Sequence, residues 1–198
     1  MRLAQRVLAR EHLALRAVAR VVAFEARMLH EGRPVDGALL QSIVDYVTEF
    51  PDRIHHPKEE DHLFARMRAR NAGLCGAVLD RLLDEHQKEA VHIAELGRAL
   101  KDFQAGIEGA RGRLAELAGS YAFFLDRHID LENLEAFPLA EKVLTEDDWA
   151  AIDAALTEAA IGGGLTGVLL IRAAVRLRPT EPAARAELPG PVPRIAAA

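Results

Sequence analysis

Residues 55–64 read HHPKEEDHLF, and residues 128–137 read HIDLENLEAF. These two stretches repeat one pattern, with a glutamate four residues after a histidine and a phenylalanine five residues after that glutamate. On a helix, positions i and i+4 lie on one face, so an imidazole and a carboxylate can point at the same spot. Iron and other borderline metals favour such a mixed nitrogen and oxygen ligand set. The pattern therefore predicts two helices that each offer a pair of metal ligands.

The repeat extends upstream of each stretch. Glu11-His12 lies before the first stretch and Glu85-His86 before the second, with spacings of 43 and 42 residues from histidine to histidine. The chain thus contains two copies of one unit, a helix with one histidine followed by a helix with His-x-x-x-Glu. Four helices with inward ligands predict an all-α four-helix bundle with a metal site in its middle. Six ligands that include two carboxylates suit two bridged metal ions better than one.

The composition bounds the fold class and argues against several kinds of function. The length of 198 residues suits one domain followed by a tail, and the abundance of Ala, Leu, Arg and Glu favours helix over strand. A net charge of −5 and the lack of a basic face with interleaved aromatics argue against a nucleic-acid partner. The single cysteine, Cys75, excludes an intramolecular disulfide. No apolar run suits a membrane span or a signal peptide, so a cytoplasmic location is expected.

Helix boundaries follow from apolar periodicity and turn residues. We expect a short fifth helix after the four bundle helices, with the five elements at residues 3–30, 36–70, 74–103, 114–137 and 147–160. Asn71–Gly73 should form the turn between the second and third helices, and Thr145–Asp148 is typical of a cap at the start of the fifth. Pro51 and Pro57 should kink or bulge the second helix, because each removes a hydrogen-bond donor. The bundle domain is therefore placed at residues 1–160, and a Gly/Pro-rich C-terminal appendage at residues 161–198.

The appendage contains a short apolar segment and a proline-rich end. The segment Leu165–Leu177 is too short to span a bilayer and carries Arg172 and Arg176. We expect it to pack on the bundle or on a second subunit, which would make a homodimer. A basic amphipathic dock for a membrane surface or a partner is the alternative. Five of the nine prolines lie within residues 179–193, which predicts disorder there.

These motifs resemble the hemerythrin-like family, also called the HHE cation-binding domain, and the string at residues 55–64 is among its most specific parts. The resemblance covers residues 3–142 and implies an up-down four-helix bundle around a non-haem di-iron centre. It implies two Fe ions as cofactor, with Glu59 and Glu132 as bridging carboxylates. The terminal imidazole ligands that it implies are His12, His55, His86 and His128.

The ligand pattern departs from that of the oxygen-carrying hemerythrins, which place another histidine four residues after the first on the third helix. The residue at that position here is Ala90, which cannot coordinate a metal. The four-His, two-Glu set more closely resembles the iron-centre repair di-iron proteins and the hemerythrin domain of the F-box iron sensor. We expect the missing imidazole to leave an exchangeable position. That favours labile iron, or reaction with peroxide, nitric oxide or dioxygen, over simple oxygen storage.

Two functions from different classes fit this sequence. The first is a cytoplasmic di-iron protein that reacts with or senses dioxygen, nitric oxide or peroxide, in oxidative or nitrosative stress or in iron supply. The second is a non-catalytic regulatory module, in which the metal holds the fold and its loss exposes a surface for a partner. A structural zinc ion is a third interpretation, because histidine and carboxylate also bind zinc. The sequence does not decide whether the protein is an enzyme.

Other polar residues receive separate expectations. Glu89 follows His86 by three positions and could replace the missing ligand, although a place beside the metal or in solvent fits better. Tyr121 should face the core, either as a plain tyrosine or as a hydrogen-bond donor or electron relay. His62 and Glu135 could support the ligands or be partly exposed. We expect surface positions for His56, Glu60, His30, His92, Glu11 and Glu85.

Overall fold

The computed structural model describes the backbone of residues 2–163 and the side chains of residues 2–157. Within this part of the chain every regular element is helical, as the sequence predicts. None of these helices combines the length and the apolar character needed to cross a membrane. The expectations for the C-terminal appendage, including Leu165–Leu177 and the proline-rich end, lie outside the described residues.

The helical elements follow one another with short connections. In chain order they are α1 (Leu3–His30), α2 (Gly37–Phe50), π1 (Pro51–His55), π2 (Lys58–Phe64), α3 (Ala65–Gln104), α4 (Ala110–Leu131), π3 (Glu132–Ala136), α5 (Phe137–Val143) and α6 (Glu146–Gly163). Asn71, inside α3, has non-helical backbone angles of φ −156° and ψ 80°. Its side chain accepts a hydrogen bond from the Leu74 N–H at 2.9 Å, so the predicted turn between the second and third bundle helices lies here.

Four long helices form the bundle. The first is α1, the second runs from α2 through π1 and π2 to the break at Asn71, the third is the rest of α3, and the fourth runs from α4 through π3 into α5. Arg111 at the start of α4 donates a hydrogen bond to the Leu29 carbonyl at the end of α1, at 3.0 Å. Arg16 in α1 pairs with Asp130 near the end of α4. These contacts make α1 and α4 antiparallel and confirm the expected four-helix bundle.

Prolines coincide with the π-helical parts of the second and fourth bundle helices. Pro51 begins π1, Pro57 directly precedes π2, and Pro138 closely follows π3. A proline offers no N–H to the carbonyl four residues before it, and wider rings close here instead. The His56 N–H bonds the Pro51 carbonyl, for example. The distortion predicted at Pro51 and Pro57 is confirmed, and it rotates the side chains that follow.

Two apolar clusters close the bundle above and below its middle. One lies between the later part of α1, α2, the end of α3 and most of α4, and includes Phe50 and Leu100. The other lies between the first turns of α1, π2, the first half of α3 and α6, and includes Met67 and Trp149. On each bundle helix the predicted ligands lie between these two clusters. Apolar layers therefore shield the candidate site at both ends.

The fifth helix, α6, begins at the predicted cap. The Thr145 N–H donates to the Asp148 carboxylate at 2.9 Å, and the Asp148 N–H donates to the Thr145 hydroxyl at 3.3 Å. Arg70, just before the break in α3, also donates to Asp148 at 2.6 Å. The helix continues to Gly163, slightly past its expected end at residue 160.

Candidate metal centre

The six predicted ligands meet in the middle of the bundle, and all six are buried. The His12 Nε2 atom lies 3.4 Å from Glu59 Oε1 and 3.1 Å from Glu132 Oε2. Glu132 Oε1 lies 3.3 Å from His128 Nε2 and 3.6 Å from His86 Nε2. Four imidazoles from four bundle helices therefore surround two carboxylates from the second and fourth.

Glu59 and Glu132 lie between two groups of histidines. One group is His12 with His55, and the other is His86 with His128. One cluster, His12 and His55 with the two carboxylates, has ligand atoms within 4.8 Å of one another. Glu59 Oε2 is also 3.6 Å from His55 Nε2 and 3.8 Å from His86 Nε2, which belongs to the other group. Each carboxylate thus faces imidazoles of both groups, which is the arrangement that a bridge between two ions requires.

His55 and His128 are each oriented by a glutamate of their own repeat unit. In each unit it is the glutamate of the Glu-His dipeptide on the preceding helix. The His55 Nδ1–H donates to Glu11 at 3.0 Å, and the His128 Nδ1–H donates to Glu85 at 3.0 Å. Because an ionised carboxylate only accepts, the proton lies on Nδ1 and the Nε2 lone pair faces the cluster. Lys58, which is buried, also donates to Glu11.

The other two imidazoles are oriented by residues of the opposite repeat unit. The His86 Nδ1–H donates to Glu60 at 2.5 Å, and the His12 Nδ1–H donates to the Asn133 side-chain oxygen at 3.1 Å. Glu60 and Asn133 each follow the central glutamate of their motif directly. All four predicted imidazole ligands therefore present Nε2 inward and Nδ1–H to an outer oxygen.

The expectation of surface positions is wrong for Glu11 and Glu85, whose side chains are 17 % and 14 % exposed. Glu60 is 37 % exposed, but it bonds a predicted ligand. Glu11 and Glu85 do project away from their own helix's ligand, but in a bundle that direction meets the neighbouring helix rather than water. Glu60 lies in π2, where the wider turn changes the direction expected from a regular helix. The doubled Glu-His dipeptide was the sequence signal that could have identified Glu11 and Glu85.

The motif phenylalanines cover ligand rings of the opposite unit. Phe137 stacks on His12 with ring centroids 5.4 Å apart, and Phe64 stacks on His86 at 6.1 Å. The two remaining predicted imidazole ligands have similar stacking partners, namely Phe50 on His55 and Phe124 on His128. The repeated phenylalanine thus limits the rotation of a ligand ring and keeps it apolar on one side.

His56 is also buried, so its expected surface position is wrong. Its ring lies parallel to that of His86, with centroids 3.8 Å apart and an angle of 9° between the planes. His56, His86 and His128 form a second cluster whose ligand atoms lie within 4.8 Å of one another. His56 directly follows π1, so its inward direction depends on a distortion whose extent the sequence does not specify.

Glu89 and Tyr121 extend the polar interior next to this second cluster. Glu89 is fully buried, and its Oε2 lies 3.4 Å from His56 Nε2. The Tyr121 hydroxyl donates to Glu89 Oε1 at 2.9 Å, so Tyr121 is the hydrogen-bond donor that one expectation proposed. Burial tends to raise the pKa of Glu89, but the nearby His56 imidazole outweighs burial and the pKa is lowered.

The register of the third helix places Glu89 rather than Ala90 in the interior. Ala90 is solvent-exposed, so the position proposed for an absent imidazole does not face the clusters.

Among the other histidines, His30 is exposed and His62 is half-buried. His92 is half-buried, with its ring 4.9 Å from that of Phe124, and was wrongly expected at the surface.

The electrostatics of the centre favour positive charge. Burial alone would lower the pKa of His12, but the nearby carboxylates of Glu132 and Glu59 outweigh burial and raise it to about 10. Burial would raise the pKa of Glu132, but the charge of His128 and the nearby imidazole of His12 hold it well below its usual range. The Glu132 carboxylate thus stays ionised and attracts cations, whether protons or metal ions.

Several inward atoms lack a hydrogen-bond partner, although they are buried. They are Nε2 of His12, His86 and His128, and both carboxylate oxygens of Glu59 and Glu132. A buried polar atom left without a partner costs roughly 1–3 kcal/mol. A metal ion accepts lone pairs from imidazole nitrogen and carboxylate oxygen together, so the residues present fit a bound cation.

Comparison with known proteins agrees with this chemistry. A search among curated proteins finds no similar sequence. The family model of the hemerythrin HHE cation-binding domain matches residues 3–140, which is well over half of the chain. The matched region includes every residue of both clusters. On the length of this match, and with a buried centre that suits a cation, the chain belongs to the hemerythrin HHE cation-binding domain family.

Proposed function

We propose that this protein binds two iron ions in its centre and reacts with or senses dioxygen, nitric oxide or peroxide. The proposed ligands are His12, His55, Glu59, His86, His128 and Glu132. The observation that carries the proposal is the orientation of the imidazoles. Each is fixed through its Nδ1–H to an outer oxygen, which is how proteins orient metal-binding histidines.

Two ions are favoured over one by the position of the carboxylates. Glu59 and Glu132 each lie within 3.8 Å of imidazoles from both histidine groups. A carboxylate with two oxygens directed at two groups of ligands is suited to bridging. Two buried carboxylates also neutralise part of the charge of two cations, which reduces the cost of holding them in an apolar interior.

Iron suits this ligand set because it accepts both imidazole and carboxylate. When bound, iron supplies one-electron redox chemistry and coordination positions that a small molecule can occupy. The chain's residues would hold the ions through neutral imidazoles and two carboxylates, and the outer oxygens of three carboxylates and the Asn133 amide fix the imidazole tautomers. The apolar clusters on both sides limit the entry of water.

A surface groove of about 400 Å³ lies next to residues that cover His12. Two of the residues that line it, Asn133 and Phe137, contact the His12 ring directly. The remaining lining residues are Gln5, Ala9, Pro138 and Glu141. We propose this groove as the route by which a small ligand approaches the centre. The tight packing around His12 then favours diatomic molecules or peroxide over larger substrates.

The proposal is tested with full-length protein purified without oxygen. Titration with Fe²⁺ should saturate at two ions per chain, measured by elemental analysis after desalting. Exposure of the loaded protein to air, peroxide or nitric oxide should then change its near-ultraviolet and visible spectrum. A plateau at one ion would refute the dinuclear centre. Iron that stays spectrally silent with all three reagents would refute the proposed reactivity and favour a structural or regulatory metal.

A further inference from the structure

Tyr121 and Glu89 form a buried pair that the proposed metal ligands do not use. We infer that Tyr121 is an internal one-electron donor to the metal centre, and that Glu89 accepts the proton that the phenol releases. This donor lets the centre reduce peroxide to water when one of its two irons is already ferric. The inference rests on the proposed function, because it requires iron that reacts with peroxide.

The geometry of the pair suits proton transfer. Tyr121 is 1 % exposed, and its hydroxyl donates to Glu89 Oε1 at 2.9 Å. Glu89 is fully buried, yet its pKa is lowered, so it is an ionised carboxylate. An ionised carboxylate only accepts hydrogen bonds, so a base already faces the phenolic proton.

A proton acceptor decides whether a buried tyrosine can give up an electron. Burial and the charge of Glu89 raise the pKa of Tyr121 well above its ordinary value, so the residue is a neutral phenol. A phenol that loses an electron becomes a strong acid, so its oxidation is favoured where a base takes the proton. Tyr46, the other tyrosine of the chain, is also buried but bonds no carboxylate among the described residues.

Packed groups connect the pair with the predicted ligands. Glu89 Oε2 lies 3.4 Å from His56 Nε2, and the His56 ring stacks on that of His86 with centroids 3.8 Å apart. Tyr121 also precedes His128 on α4 by two helical turns, which is roughly 10 Å along the helix axis. Electrons tunnel readily through closely packed protein over such separations. The pair is therefore within electron-transfer reach of the centre.

The repeat shows that the fold itself does not require this pair. Counted from the ligand histidines, the positions of Glu89 and Tyr121 are taken in the first unit by Leu15 and Thr48. Leu15 is buried, and the Thr48 hydroxyl bonds the carbonyl of Val44 in its own helix at 2.7 Å. A buried carboxylate is costly where an apolar residue suffices, which favours a chemical role for the pair.

The electron balance shows what the donor contributes. Reduction of peroxide to two waters takes two electrons and two protons, and the solvent supplies these protons. A single ferrous ion supplies one electron, and peroxide that receives only one breaks into hydroxide and hydroxyl radical. Tyr121 supplies the second electron, while its O–H bond breaks and the proton passes to Glu89 Oε1. The products are two waters, a ferric ion, a neutral tyrosyl radical and a protonated Glu89.

The test uses full-length protein with one ferrous and one ferric ion, prepared from the fully reduced form with one equivalent of a one-electron oxidant. Mixing with one equivalent of peroxide and rapid freezing should give the electron paramagnetic resonance signal of a tyrosyl radical. The splitting of this signal should collapse when the protein contains ring-deuterated tyrosine. The chain has two tyrosines, so Tyr121→Phe should lose the signal, and the matched control Tyr46→Phe should keep it.

A spin trap and a second variant give independent measurements. The trap should capture several-fold more hydroxyl radical from Tyr121→Phe than from Tyr46→Phe, because the second electron is missing. Glu89→Gln keeps a hydrogen-bond acceptor for Tyr121 but cannot take its proton. Tyrosyl formation should therefore slow by about 100-fold, in the range that a positioned base contributes. An unchanged rate would overturn the role of Glu89.

The outcomes separate this inference from the proposed function. Oxidation of the ferrous ion by peroxide without a tyrosyl signal in the natural sequence would overturn the inference alone. This result needs no variant, so it decides the question even if Glu89→Gln does not fold. A signal that persists in Tyr121→Phe would identify Tyr46 as the donor and also overturn the inference. Iron that does not react with peroxide would instead overturn the proposed peroxide reactivity, on which the inference depends.

Discussion

The two halves of the repeat place the same ligands in different surroundings. In both halves the glutamate of the Glu-His dipeptide orients the histidine of the following motif, Glu11 with His55 and Glu85 with His128. In both, the motif phenylalanine stacks on a histidine of the opposite half. The duplicated unit therefore specifies the ligands together with their supporting contacts, since an imidazole without a fixed orientation is a poor ligand.

The halves differ in the polarity of the buried side chains next to the predicted ligands. The second cluster includes His56, with Glu89 and Tyr121 next to it, whereas the places equivalent to His56 and Glu89 in the repeat hold the apolar residues Ile129 and Leu15. The outer partners differ as well, because Glu60 bonds His86 where the neutral Asn133 bonds His12. A duplicated scaffold can thus keep the predicted ligands symmetric while the surroundings of the two histidine groups differ in charge and polarity.

The largest effect is expected from removing a central carboxylate, because it serves both halves. Glu59→Ala and Glu132→Ala should each reduce bound iron from two ions to fewer than about one, since a bridge holds both ions and offsets their charge. Elemental analysis after desalting measures this. The control His62→Ala should retain both ions. Equal iron loss in the control would show that the ligand assignment is wrong.

The outer glutamates provide a more selective comparison. Glu11→Gln and Glu85→Gln should each weaken metal binding about 10- to 100-fold, as loss of an outer partner usually does. Glu11→Gln should also destabilise the metal-free protein by about 1–3 kcal/mol, because Glu11 accepts a hydrogen bond from buried Lys58. Besides His128, Glu85 pairs with Arg81, which is more exposed than Lys58.

Chelator competition and urea unfolding separate these two effects. Greater destabilisation by Glu85→Gln than by Glu11→Gln in the metal-free protein would contradict the role assigned to Lys58.

Tyr121→Phe tests the polar interior of the second half. The change removes the only hydroxyl described on Glu89 and should destabilise the protein by about 1–3 kcal/mol, because a buried carboxylate loses a partner. Tyr46→Phe is the matched control, since Tyr46 is buried in the same apolar cluster and bonds no carboxylate among the described residues. Thermal unfolding should show a clear decrease in Tm for Tyr121→Phe but not for Tyr46→Phe. Equal decreases would mean that the hydrogen bond to Glu89 contributes little.

The smallest effect is expected at Asp148, which lies outside the repeat. Arg70 and the Thr145 cap hold the pKa of Asp148 below its ordinary value. The carboxylate therefore stabilises the fold above pH about 4, the pKa of an unfolded aspartate, and this contribution is lost as the pH falls through the lower folded value.

Asp148→Asn should cost about 1 kcal/mol at neutral pH, as for other helix caps, and leave the iron content at two. Urea unfolding at pH 7 and pH 3 should show that the difference between variant and natural protein shrinks at the lower pH. A difference that stays constant would argue against a role for the Asp148 charge.

The sequence predicted most of the fold because its signals are local. The positions of the bundle helices, the break at Asn71, the distortion at Pro51 and Pro57 and the cap at Thr145 all follow from hydrogen-bonding rules within a few residues. The repeated spacing also predicted that His12 and His86 meet the two His-x-x-x-Glu motifs. On antiparallel helices, similar spacings place the corresponding residues of the two units at the same height in the bundle. The errors concern side chains whose direction depends on neighbours.

The sequence by itself determined that the chain forms a helical bundle and that four imidazoles and two carboxylates share its interior. Only the tertiary structure decided that Glu11, Glu60 and Glu85 orient ligands and that His56 and Glu89 are buried beside them. The π-helical turns rotate residues away from the regular helical direction by an amount that depends on packing. A side chain at the edge of a helix face, moreover, meets either water or a neighbouring helix, and only the assembled bundle determines which.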